Sequence, residues 1–206
     1  MLGITGLTAG VGVRMAEIAE GETVFVSAAA GAVGSIVCQL ARLRGARVIG
    51  SAGGADKATF LEELGVDATI DYRRSTDLRT ALAEVAPEGL DVYFDNVGGR
   101  HLAAAVDATR TFARIILCGK LSEYDPAEDE RPDLGLAVPR SLRFLGFSVR
   151  YHLDELEPFR SEVGELLRAG TIQSRQTIED GIEAAPRALI RVLTGDKLGK
   201  MLVHVA

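Results

Sequence analysis

The sequence predicts an α/β protein whose core is a doubly wound sheet of six parallel strands, with helices on both faces. Short β-branched and apolar runs alternate with amphipathic helical patterns along most of the chain. Gly45, Gly65 and Pro87 stand at boundaries between these patterns, as residues that end helices. Strands that alternate with helices are joined by right-handed crossovers and run parallel, so the alternation predicts a parallel sheet covered on both sides.

The individual elements follow from the local patterns. Six apolar runs are predicted as the strands of the sheet: 23–26, 46–52, 68–71, 90–94, 112–118 and 142–149. Helical spacing of apolar residues predicts helices at 8–19, 100–109, 156–167 and 182–193, with shorter helices after Gly34 and Gly54 and after an N-cap at Ser75 or Thr76. Two further strands are predicted in the tail, at 172–178 and 200–205.

The most informative stretch joins the first strand directly to a helix. It reads TVFVSAAAGAVGS over residues 23–35 and maps onto the pattern G-x-G-x-x-G at Ala29, Gly31 and Gly34, with alanine for the first glycine. Small residues there allow a tight turn, close approach of backbone N–H groups to a pyrophosphate, and close packing of helix on strand. This pattern favours a Rossmann-type cofactor site, and a plain strand–helix packing turn is the alternative.

The end of the second strand indicates which cofactor to expect. An NAD site places an Asp or Glu there to bind the ribose 2′-hydroxyl, but residues 49–54 contain no carboxylate. Lys57 follows in the next helix, and Tyr72 lies just after the third strand. A missing acid beside a cation favours NADP(H), although Lys57 could equally be an ordinary solvated lysine.

Composition excludes several classes of protein. The net charge of −6 argues against nucleic acid as a partner, and the apolar runs are too short to cross a membrane. No secretory leader is recognised, and Cys38 and Cys118 are predicted to be reduced thiols, so we expect a cytoplasmic protein. The three histidines and two cysteines lack ligand spacing, so no metal site is predicted.

Motifs spread along almost the whole chain resemble one family. They include GLTA at 6–9, SAAAGAVGS at 27–35, VYFDNVGG at 92–99, Cys118-Gly119 and G-x-x-L-G-K at 195–200. Together they resemble the zinc-independent medium-chain dehydrogenase/reductases, in the branch of leukotriene B4 12-hydroxydehydrogenase, prostaglandin reductase and alkenal double-bond reductase.

The resemblance implies roles for particular residues. It places the pyrophosphate on Gly31, Ala32, Val33 and Gly34, and the 2′-phosphate at Lys57 and Tyr72. The other cofactor positions that it implies are Asn96, Cys118, Gly119, Ser122, Tyr124, Phe147, Ser148 and Val149. It also makes Tyr124 the catalytic candidate, whose hydroxyl would orient the substrate or relay a proton; a tyrosine that only anchors its loop is the alternative.

The chain also departs from the family. Gly10 replaces an aromatic residue, Lys120 a small one, and Lys197 an asparagine that touches the nicotinamide end. The substrate-side domain related to the GroES barrel is not recognised in this sequence. We therefore predict an NADP-binding domain at 1–175 and, at 176–206, a remnant that would complete that absent domain.

The function implied is NADPH-dependent reduction of the carbon–carbon double bond of an α,β-unsaturated aldehyde or ketone. A quinone reductase of the same superfamily and a non-catalytic NADPH-binding module stay open as alternatives. The expected partners are a small-molecule enone or enal and a second copy of the chain, joined through the strand at 142–149, because a long apolar edge strand is rarely left uncovered.

Overall fold

The computed structural model describes residues 1–75, 77–121 and 130–205. The predicted site residues Ser122 and Tyr124, and the predicted cap Thr76, lie outside the described residues. No helix in the described ranges is both long and apolar enough to span a membrane.

Six parallel strands form the main sheet, as predicted. They are β1 (Thr23–Val26), β2 (Arg47–Ala52), β3 (Ala68–Asp71), β4 (Leu90–Asp95), β5 (Thr109–Leu117) and β6 (Arg143–Gly146). Their spatial order is β3-β2-β1-β4-β5-β6, so the chain returns to the centre of the sheet between β3 and β4. In such sheets, ligands bind at the carboxyl ends of the strands where the order reverses, here between β1 and β4.

Helices cover both faces of this sheet. They are α1 (Ile4–Met15), α2 (Gly34–Leu43), α3 (Ala55–Glu63), α4 (Leu78–Val85), α5 (Gly99–Asp107) and α6 (Leu156–Arg168). Alternate strand residues point to opposite faces: Val24 and Val26 pack towards α1, α2 and α3, whereas Phe25 packs towards α4 and α5. The helix α6 packs on α1 in a smaller apolar cluster around Phe159 and Val163.

Several predicted boundaries were wrong. The first helix begins at Ile4 and ends at Met15, four residues before the predicted span at each end. The fifth strand begins at Thr109, before a register irregularity in which Phe112 has φ of +66° and its amide donates to Arg140 O at 2.7 Å. The helix predicted at 100–109 accordingly stops at Asp107.

Other corrections concern a cap and two strands. The N-cap of α4 is Asp77, whose carboxylate accepts from the amides of Arg79 and Thr80, rather than Ser75. The sixth strand stops at Gly146, so Phe147, Ser148 and Val149 lie beyond it. The predicted strand at 172–178 is replaced by β7, which begins at Gln176.

The tail forms a small unit of its own. Strands β7 (Gln176–Asp180) and β8 (Lys200–His204) pair in parallel, and α7 (Ala185–Leu193) connects them. The unit meets the main sheet at the glycine turn, where the amide of Gly199 donates to Ala30 O at 2.8 Å. The division into domains at 175 and 176 stays a prediction.

Candidate functional site

The turn between β1 and α2 has almost no room for side chains. The amide of Ala29 donates to Ser51 O at 2.9 Å, and the amide of Gly31 donates to Ala28 O at 2.9 Å. A Cβ on Gly34 would lie 2.5 Å from Ala28 O and 2.8 Å from Ala29 Cα, both backbone atoms that cannot move away easily. The helix can therefore sit this close to the strand only because residue 34 is glycine.

The same turn exposes hydrogen-bond donors. Among the described residues, no acceptor pairs with the amides of Ala32, Val33 and Gly34, and Val33 receives no side-chain cap. Unpaired amides at the start of a ten-residue helix attract anions, because they combine free donors with the positive end of the helix dipole. All four residues predicted for the pyrophosphate thus lie in one turn with free donors, and their role in binding it stays a prediction.

A buried polar cluster holds the carboxyl ends of β1 and β4 together. Asp95 is 1% exposed, and its Oδ1 accepts from the Tyr93 hydroxyl at 2.7 Å and from the amides of Val97 and Gly98 at 2.9 and 2.8 Å. The Tyr93 hydroxyl also lies 3.0 Å from Ser27 Oγ. Burial raises the pKa of the Asp95 carboxyl, and these hydrogen bonds oppose the rise.

Asn96 is fixed in the same place. Its amide donates to Ser27 Oγ at 2.9 Å, and its Nδ2 donates to Ser27 O at 2.8 Å. Two bonds to Ser27, the residue that follows β1, leave little freedom to the Asn96 side chain, so its position is set before any ligand binds.

Cys118 and Gly119 lie beside Asn96. Their amides donate to Asp95 O at 2.9 and 3.0 Å, and a Cβ on Gly119 would lie 2.9 Å from Asn96 O. Burial, with a smaller contribution from the Asp95 charge, raises the pKa of the Cys118 thiol to about 12. Cys118 is therefore protonated at neutral pH, which makes it a weak nucleophile at this site.

The three residues after β6 lie next to this group. Leu117 pairs with Gly146, so Phe147 follows β6 at the level where Cys118 follows β5. The Phe147 ring packs against α1, where a Cβ on Gly12 would lie 3.2 Å from its Cζ, and Val149 also packs in the apolar cluster of α1 and α6. The Ser148 hydroxyl accepts from Arg150 Nε at 3.0 Å.

Two cationic side chains, Lys57 and Arg73, bond the loop at 194–199. Lys57 Nζ donates to Gly195 O, and Arg73 Nη2 donates to Thr194 O at 2.8 Å. The Tyr72 hydroxyl lies 4.0 Å from the position of a Cβ on Gly195. Burial and the neighbouring Arg73 lower the pKa of Lys57. Lys57 and Tyr72 therefore face one terminal loop, 194–199, and the phosphate site predicted for them stays a prediction.

Two residues beside Lys57 and Tyr72 were not predicted as site residues: Arg73, which the sequence shows only as one of the residues closing the third strand, and His101. Arg73 is an exposed residue of a polar turn, and nothing in its local pattern separates it from Arg74. Buried His101 packs edge-on to the Tyr72 ring with 5.2 Å between ring centroids, and burial lowers its pKa to about 4, so it is neutral at physiological pH. Only the contact of α5 with the turn after β3 shows that His101 packs against Tyr72.

The described residues therefore fall into two groups along the carboxyl edge of the sheet. The free amides and the cations offer places for phosphate groups, and Asn96, Cys118 and Gly119 form a polar wall beyond them. In the described ranges, no cluster of three or more His, Cys, Asp or Glu side chains is placed to hold a metal ion. The strand order and this turn define a dinucleotide-binding domain of the Rossmann type.

Comparison with known proteins identifies the family. Residues 32–164 match the zinc-binding dehydrogenase family, and the chain belongs to it. Mouse prostaglandin reductase 1 is 37% identical over 206 residues, which cover 98% of this chain and 63% of that protein. The NADP(+)-dependent 2-alkenal reductase of tobacco is 36% identical over 211 residues, covering 100% of this chain and 61% of that protein.

A solved structure supports the same assignment. CurA of Vibrio vulnificus in complex with NADPH superposes with a TM-score of 0.92 and 36% identity, over 100% of this chain and 63% of that one. The resemblance to the reductase branch of the medium-chain dehydrogenase/reductases is confirmed. The chain spans about three fifths of the length of these relatives.

The contact at Gly34 generates a prediction about stability. Gly34→Ala should lower the free energy of unfolding by about 1–3 kcal/mol, because its methyl group meets backbone atoms. Gly164→Ala in α6 is the matched control, since a Cβ there has no neighbour closer than 3.9 Å. Replacing that helical glycine should stabilise by about 0.5–1 kcal/mol. Denaturant unfolding measures both, and equal effects of the two substitutions would contradict this account.

Proposed function

We propose that this chain is the NADPH-binding part of an oxidoreductase that reduces the carbon–carbon double bond of α,β-unsaturated aldehydes or ketones. The observation that carries the proposal is the anion-binding turn at 31–34 beside Lys57 and Arg73, with no carboxylate at the end of β2. The names of the relatives, an NADP(+)-dependent alkenal reductase among them, support the same cofactor and substrate class.

The chain's own residues divide the work of binding. The amides of Ala32, Val33 and Gly34 take the diphosphate, which suits their free donors and the helix dipole. Lys57, Arg73 and Tyr72 hold the adenosine 2′-phosphate, because two cations and a hydroxyl converge beside the terminal loop. Where an acid would bind the 2′-hydroxyl of NAD, β2 ends in Ser51 and Ala52.

The wall beyond the turn positions the reacting groups. When bound, NADPH supplies a hydride to the β-carbon of the enone. Asn96 is held rigidly by Ser27, so it can orient the cofactor without rearranging. Cys118 stays a neutral thiol, which protects it against an electrophilic substrate. The backbone after β6 at 147–149 closes this end, and the Tyr124 hydroxyl orients the substrate or relays the proton to the α-carbon.

The choice of cofactor is directly testable. The chain should bind NADPH at least about tenfold more tightly than NADH, since charge-assisted contacts to the 2′-phosphate are absent with NADH. Lys57→Ala should remove most of this preference, whereas Arg74→Ala, which deletes an exposed cation in the same turn as Arg73, should not. Calorimetric titration of each protein measures it. Equal affinities of the unmutated chain for the two cofactors would refute the NADP assignment.

Residues 176–205 form a unit whose apolar side chains are partly exposed. Ile178, Ile182, Leu189 and Ile190 are exposed on β7, on α7 and in the turn between them. Apolar surface gathered in one unit favours a further protein layer over it. We infer that this segment completes a substrate-side domain, that the boundary lies at 175, and that the domain forms the opposite wall of the substrate cleft.

The activity of the chain by itself follows from that inference. It should bind NADPH yet oxidise it with a simple enone far more slowly than the 1–10³ per second of typical enzymes, because only one wall of the cleft orients the substrate. NADPH oxidation, followed by the loss of the cofactor's absorbance, checks this with an enone and with a quinone. Fast enone turnover would contradict the incomplete site. Fast turnover of the quinone alone would favour a quinone reductase.

A homodimer joined edge to edge through β6 is the second part of the proposal. The strand β6 ends the main sheet and is partly exposed, although it is shorter than the sequence predicted. The β6 amides should exchange hydrogen slowly at high micromolar concentration and faster on dilution, whereas the opposite edge strand β3 should not change. A monomer by light scattering at high concentration would end this proposal.

We also propose a cytoplasmic location. The free thiols Cys38 and Cys118 support it, because thiols stay reduced in that compartment.

A further inference from the structure

Lys197 belongs to the terminal loop but lies at the glycine turn of the main sheet. Its Nζ is 3.8 Å from the position that a Cβ on Gly31 would occupy. The loop is held there by the bond from Gly199 to Ala30 and by the bonds from Lys57 and Arg73 to its carbonyls. The ammonium group is thus delivered to the turn by a segment more than 160 residues away along the chain.

The surroundings of Lys197 carry an excess of positive charge. The side chain is half-buried, and Lys57 and Lys200 both lie near enough to lower its pKa, after the larger effect of burial. Within the described ranges it has no salt bridge, and its acceptor is the carbonyl of Gly199 at 3.2 Å. The nearest carboxylate in sequence, Asp196, is paired with Arg191 Nε at 3.0 Å.

Such an arrangement is costly unless an anion is present. Half-buried cations that repel one another lose solvation, and the carbonyl of Gly199 uses one of the three donors of the Lys197 ammonium group. The free amides of Ala32, Val33 and Gly34 begin beside the same glycine. Cations and unpaired amides that meet at one point form a strong site for a phosphate group.

We propose that Lys197 binds the diphosphate of the dinucleotide at the turn of Gly31, as a cation that the terminal loop adds to the site. This inference rests on the proposed function and assigns Lys197 to the diphosphate, rather than to the nicotinamide end where the resemblance placed that position. The two phosphate groups of the cofactor are then held by different cations: Lys57 and Arg73 on the 2′-phosphate and Lys197 on the diphosphate.

Four ligands distinguish the two cation sites in a binding experiment. NADPH carries both phosphate features, NADH and ADP carry only the diphosphate, and adenosine 2′-monophosphate carries only the 2′-phosphate. Lys197→Gln should weaken NADPH, NADH and ADP by a similar factor, about tenfold, and leave adenosine 2′-monophosphate within about twofold. Lys57→Ala should instead weaken NADPH and adenosine 2′-monophosphate and leave NADH and ADP within about twofold. Lys200→Gln is the matched control, with the same loss of charge in the same segment, and should change none of them strongly.

Calorimetry or fluorescence titration of the full chain gives these dissociation constants, and circular dichroism with unfolding midpoints checks that each variant folds. Lys197→Arg, which keeps the charge, should retain most of the affinity for ADP. A loss confined to NADPH and adenosine 2′-monophosphate, or one that spares ADP, would overturn the assignment. So would unchanged affinities in Lys197→Gln while the unmutated chain binds NADPH. Failure of the unmutated chain to bind any of the four ligands would instead refute the proposed function.

Discussion

The contact between the first residue of α2 and the turn after β1 is the constraint on which the rest of the site depends. A side chain on Gly34 would lie 2.5 Å from Ala28 O, so helix and strand approach as closely as backbone atoms permit. This approach directs the free amides of 32–34 out of the carboxyl edge of the sheet. A larger residue would tilt or displace the helix, and with it every donor aimed at the ligand.

The second requirement is that β1 and β4 end at the same level. Ser27, Tyr93 and Asp95 meet in a buried cluster at that point, and Asn96 is bonded to Ser27 by two hydrogen bonds. Disrupting the hydrogen bonds of a buried carboxylate costs much free energy, because removing one partner leaves the other groups unsatisfied. The cluster therefore fixes the geometry of the polar wall while its members stay out of reach of a ligand.

Electrostatics joins the terminal unit to the main sheet. Lys57 and Arg73 each donate to a carbonyl of the loop 194–199, and Lys197 returns from that loop to the glycine turn. Lys57 and Arg73 keep further N–H donors after bonding the loop, so a phosphate can bind them without displacing the loop. Under the proposed function, loop docking and phosphate binding use the same charges, and the terminal unit contributes to the cofactor site.

Sequence alone determined the class of the fold and the local part of the site. The alternation of strands and helices, and the contiguous residues 27–35, are encoded by neighbours in the chain, so periodicity and small residues are enough to recognise them. Tertiary structure decided the rest: Asp77 caps α4 with its side chain, β5 starts early through an irregular pairing with β4, and β6 stops at Gly146. It also brought His101 against Tyr72, Arg73 against the loop carbonyl of Thr194, and Lys197 to the glycine turn, contacts between segments that are distant in sequence. The physical reason is that periodicity and backbone sterics act over a few residues, whereas the positions of charges around a turn depend on packing between segments that only folding brings together.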